Sequence, residues 1–84
     1  MKQHTHNFVE TYQELVGFGL DRETDEKTII YYLQKFSDDR LIEVLTKKMS
    51  SNELEEIFSL LTRILKTHLT ESEYHRLFLK EDHP

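Results

Sequence analysis

Three times in its 84 residues the chain repeats one helix-start signal: an apolar residue, a Ser or Thr, three more residues, then a second apolar residue. It reads Phe36-Ser37-Asp38-Asp39-Arg40-Leu41, Met49-Ser50-Ser51-Asn52-Glu53-Leu54 and Leu69-Thr70-Glu71-Ser72-Glu73-Tyr74. Each hydroxyl can accept a backbone N–H that the first turn of a helix leaves without a partner. The two apolar residues can close as a hydrophobic staple, and Glu53 and Glu73 stand where a capping box requires them. Helices therefore start near residues 38, 51 and 71. Each start also ends the helix before it, so the connections are short. The unequal spacing of the three signals marks shared capping chemistry, not a repeat architecture.

Nothing inside the chain opposes helix, since it holds two glycines and one proline, and Pro84 is the last residue. The reading is an all-α fold: a compact bundle of four to five short helices with tight capped connections. It forms one domain over residues 1–84, with roughly 1–6 and 81–84 frayed. Helix 1, about residues 5–16, places Phe8, Tyr12, Leu15 and Val16 on one face, and Gly17-Phe18-Gly19-Leu20 ends it with a glycine C-cap. Helix 2 starts near Thr24 or Asp25 and turns Ile29, Tyr32, Leu33 and Phe36 inward. Ile29-Ile30-Tyr31-Tyr32 is the one strand-like run, but its flanks keep a helical period. Helix 3, about residues 38–49, offers Leu41, Val44, Leu45 and Met49. Helix 5, about residues 71–80, offers Tyr74, Leu77 and Phe78.

The fourth helix, about residues 51–68, carries the widest apolar stripe. At about 100° per residue, Leu54, Ile57, Phe58, Leu60, Leu61, Ile64, Leu65 and Leu69 fall on one half of the wheel. Its acids lie early and its bases late, which complements the helix dipole. The expected core is centred on Leu54, Ile57, Phe58, Leu61, Ile64 and Leu65, and Leu61→Ala should then cost about 2–5 kcal/mol. His68 continues the same three-and-four spacing into the last turn, a position that leaves it either packed under Tyr74 and Phe78 or only half covered near the helix end.

Composition limits the function classes. The chain has no cysteine, hence no disulfide or thiolate metal site, which fits a reducing compartment. No apolar stretch resembles a signal peptide or reaches the roughly 18 residues of a membrane span. The expectation is cytoplasmic, with no membrane association. Eleven basic and sixteen acidic residues are interleaved, for a formal charge of −5, and this disfavours nucleic acid as a partner.

Catalytic signatures are missing. Ser37 and Ser50 are explained as caps, no Gly-x-Ser-x-Gly turn exists, and Gly17-Phe18-Gly19 lacks the Lys-Ser/Thr of a phosphate loop. The carboxylates sit at helix starts and on solvated faces. No cofactor is implied. The weak metal candidates are His68 and His75, with Glu71 one turn before His75, short of the three or four converging ligands that zinc needs. Helices 2 and 3 have a turn short enough for a helix-turn-helix, but the recognition helix would open on Asp38-Asp39, which repels phosphate. Tyr31, opposite the apolar face of helix 2, and Leu79, off the face of helix 5, are the candidate contact residues. The leading expectation is therefore a non-enzymatic protein-interaction or regulatory module, with a protein partner or a second copy in a homodimer. A nucleic-acid-binding regulator comes second, and a metal-dependent activity through histidines third.

Overall fold

The computed structural model describes residues 5–81. They form α1 (Phe8–Thr11), α2 (Arg22–Phe36), α3 (Asp39–Lys48), α4 (Ser51–His68) and α5 (Glu71–Glu73), which runs into a π-helical turn (Tyr74–Phe78). No strand occurs among the described residues, and Ile29-Ile30-Tyr31-Tyr32 is helical. The chain is all-α. The described residues divide into two units, Thr5–Lys48 and residues 49–81.

In the first unit, α1 is far shorter than the expected 5–16. Tyr12 leaves the helix with φ −73° and ψ 122°, and its hydroxyl donates to the Leu15 carbonyl at 2.8 Å. Its ring stacks on Phe8, with centroids 4.8 Å apart. The segment that follows is not helical, so its backbone polar groups need other partners. The polar face of α2 supplies them. Thr28 Oγ1 accepts from Gly17 N–H at 3.1 Å and donates to Gly17 C=O at 2.8 Å. Asp25 accepts from Gly19 N–H at 2.8 Å, and Gln34 Oε1 accepts from Val9 N–H at 2.9 Å. Gly19 has φ +94°, the left-handed conformation expected of a glycine here, but it serves this loop and not a helix C-cap.

The face of α2 that the N-terminal segment reaches therefore carries Asp25, Thr28, Tyr31 and Gln34. Thr28 is 4% exposed and is the one buried polar residue among those described. Ile29, Tyr32, Leu33 and Phe36, expected inward, are exposed. That expectation is corrected for a clear reason: a non-helical backbone selects hydroxyl, carboxylate and carboxamide partners ahead of apolar ones. The helix also begins earlier than expected, because Asp21 caps it, accepting from the Thr24 N–H at 2.8 Å. At the α2–α3 junction Ser37 does not act as an N-cap. Its hydroxyl donates back to Gln34 C=O at 2.8 Å, and Asp38 accepts from Leu41 N–H at 3.1 Å to start α3.

The second unit follows the sequence closely in its local structure. Ser50 and Thr70 each head a complete capping box, with Glu53 and Glu73 as the reciprocal partners. The helix between them, α4, has the expected bounds. Helix 5 does not run regularly to residue 80. After Glu73 the ladder widens, with Leu79 N–H donating to Tyr74 C=O at 3.0 Å and Glu81 N–H to His75 C=O at 3.0 Å. Lys80 takes φ 58°, which reverses the chain and brings Glu81 back over the turn. Of the ends expected to fray, Thr5 and His6 are exposed coil, Glu81 is held, and residues 1–4 and 82–84 lie outside the described residues.

The expected core is not formed. No described hydrophobic residue is buried. Large apolar side chains along α2 and α4 are instead exposed to water.

Candidate interaction surface

The largest share of that surface lies on α4. Leu54, Ile57, Leu60, Leu61 and Ile64 are between 42% and 46% exposed, and Phe58 is 72% exposed. Together these residues present on the order of 500 Å² of apolar surface, toward the upper end for the largest patch on an ordinary monomer. The periodicity that suggested a core does place these side chains on one stripe. What the periodicity could not supply is a neighbour over them. The signal for an interface was the same stripe, since an amphipathic helix suits a core and a docking face equally well.

Beside the stripe, within the same unit, α4 and the π-helical turn enclose an open groove of about 540 Å³. Phe58, Leu65, Leu69, Tyr74 and Phe78 line it, with Lys66 and Glu71 among its polar residues. Its floor is built by the widened turn, which stacks Tyr74 on Phe78 with centroids 5.2 Å apart. The Glu73 carboxylate, which accepts from Thr70 N–H at 2.8 Å, holds the start of that turn. This hydrogen bond and the Thr70 hydroxyl keep the Glu73 carboxyl below its ordinary 4.5.

The residues singled out from sequence stand elsewhere. Tyr31 is half-buried, 6.1 Å from Tyr12 between ring centroids, with Lys35 Nζ 5.4 Å from its own ring centroid. It belongs to the covered face of α2. Leu79 is half-buried at the end of the π-helical turn. Neither offers as much surface as Phe58. His68, for which the sequence left burial under Tyr74 and Phe78 or half coverage open, is exposed, because the seam it continues is itself exposed. His75 is half-buried with Nδ1 2.7 Å from Glu81 Oε1. Its carboxylate partner is thus Glu81, in the segment set aside as frayed, and not Glu71. Among the described residues no three His, Asp or Glu side chains gather in a metal-ligating group.

No protein-family model matches this chain, and comparisons with curated proteins and with solved structures gave no match. Among the described residues no helix is long and apolar enough to cross a membrane.

Proposed function

We propose that the chain is a non-enzymatic protein-interaction module, acting in the reducing cytoplasm, whose contact surface is the apolar face of α4. The observation that carries this reading is the exposure of six large apolar side chains on one helix face, with Phe58 the most open. Removing such a stripe from water is the main driving force for association. Large aromatic side chains are also common among the residues that dominate binding energy. Tyr31 and Leu79 would sit outside the centre of such an interface.

Matched pull-downs from the native cell test the reading, with the wild-type chain and Phe58→Asp as baits. The side chain is mostly in water already, so the substitution leaves the fold of the free chain intact. The expected result is a protein retained by the wild type and lost by the variant. Equal retention by both baits removes α4 as the surface. Recovery of nucleic acid alone, with steep salt dependence, would put the nucleic-acid reading first.

A further inference from the structure

We propose that residues 79–81 form a conformational latch: the contact between Glu81 and His75 holds Lys80 in a strained backbone conformation, and the closed latch keeps Tyr74 and Phe78 in place as the floor of the groove beside α4. The latch acts within residues 49–81, whatever partner α4 meets. Two uncommon conformations follow one another here. The π-helical ladder of Tyr74–Phe78 is the first, since such turns are rare in helices and recur at functional sites. Lys80 is the second, with φ 58°, where a residue with a side chain is strained and glycine is not. Strained residues of this kind persist only where their surroundings hold them.

The hold is local. Glu81 is fastened to His75 twice: its N–H donates to the His75 carbonyl at 3.0 Å, and its Oε1 lies 2.7 Å from His75 Nδ1. Both contacts close a loop that contains Lys80, so the gain from making them is set against the strain of that residue. The other end of the turn has its own clamp in the Thr70–Glu73 capping box. Between the two clamps lie Tyr74 and Phe78, stacked 5.2 Å apart and lining the groove with Leu65 and Leu69 of α4. Release of the Glu81 clamp lets Lys80 return to a negative φ. The turn then loses its widened end, and Phe78 loses its fixed place in the groove.

Amide hydrogen exchange and methyl NMR of the full chain read the latch. Glu81→Ala removes the side-chain contact with His75 and leaves both capping boxes in place. Exchange at the Leu79 amide should quicken by roughly tenfold, the usual worth of a hydrogen bond to a charged group. The Leu65 and Leu69 methyl resonances should move toward ordinary leucine positions as the aromatic rings leave the groove. Leu79 protection and methyl positions equal to the wild type overturn the proposal. Acceleration that spreads through α4 means that Glu81 supports the whole unit, and overturns it too. A second substitution separates strain from the mere loss of a contact. Adding Lys80→Gly to Glu81→Ala removes the strain that the contact offsets, so Leu79 protection should recover by roughly fivefold. The Leu65 and Leu69 methyls should return with it. A turn that stays open in the double variant shows that Lys80 was not what the contact held, and the latch is withdrawn.

Discussion

Residues 5–48 and residues 49–81 have similar compositions but are held by different means. In Thr5–Lys48, hydrogen bonds reach between residues distant in the chain: Thr28 to Gly17 across 11 positions, and Gln34 to Val9 across 25. Helix α1 and the non-helical segment after it are thereby fastened to the polar face of α2. In residues 49–81 the side-chain hydrogen bonds at the helix starts span three residues, Ser50 with Glu53 and Thr70 with Glu73. One unit depends on tertiary polar contacts and the other on local capping. In neither is an apolar side chain buried. Hydrogen bonds and caps can thus define the elements of a small helical chain while its apolar faces remain available for association.

The strongest way to break this contrast is Thr28→Val, which keeps the shape but removes both bonds to Gly17. Leaving the half-buried Gly17 N–H and C=O without partners should cost about 1–3 kcal/mol. Amide hydrogen exchange should quicken at Gly17 and along the segment that crosses α2, with α4 unchanged. Equal acceleration in both units would show that they are not held separately.

Ser50→Ala makes the opposite cut. Loss of the N-cap should cost about 1 kcal/mol and fray the first turn of α4, with exchange at Gly17 unaffected. Protection that stays intact through Asn52, Glu53 and Leu54 would mean that tertiary contacts, not the cap, secure this helix.

The smallest effect belongs to acid. The Glu73 carboxyl is lowered from 4.5 by the Thr70 backbone N–H and then by the Thr70 hydroxyl, and Asp21 is lowered from 3.8 by the same two groups of Thr24. Because the folded values are depressed, each cap contributes fully above the ordinary value and is lost as pH falls through the folded one. Asp21 is exposed and Glu73 only partly covered, so solvent limits the gain. Carboxyl carbon shifts followed by NMR should show Glu73 titrating below 4.5, and α5 loosening within that window. Glu73→Gln should abolish the acid response of α5 and leave that of Asp21 in place. Titration of Glu73 at its ordinary value would mean that the Thr70 box does not persist in solution.

What the sequence disclosed follows the same division. The Ser50 and Thr70 boxes were legible because donor and acceptor lie within a few residues of each other. Ser37 was misread because Asp38, next to it, is as good a cap, while the serine hydroxyl found the Gln34 carbonyl one turn back. The end of α1 was not legible, since the groups that stabilise the non-helical path after Tyr12 arrive from α2. Periodicity placed Tyr31 opposite the apolar residues of α2, yet that polar face is the covered one. On α4 the stripe was readable residue by residue. Its role was not, because a helical wheel records which side chains share a face and nothing about what lies against it.

The two capping boxes on either side of α4 have a consequence for how this chain can change. With Ser50–Glu53 before it and Thr70–Glu73 after it, the helix has a chemically fixed start and a chemically fixed restart beyond its end. It behaves like a ruler clamped at both ends. A single residue inserted near its middle could not be absorbed by slippage, and it would rotate Ile64 and Leu65 by about 100° relative to Leu54 and Ile57. The apolar seam would then be out of phase with itself although every side chain had been kept. Substitutions on the outer face of α4 are free to accumulate, whereas length is quantised: the insertions that preserve the seam come seven residues at a time, two full turns.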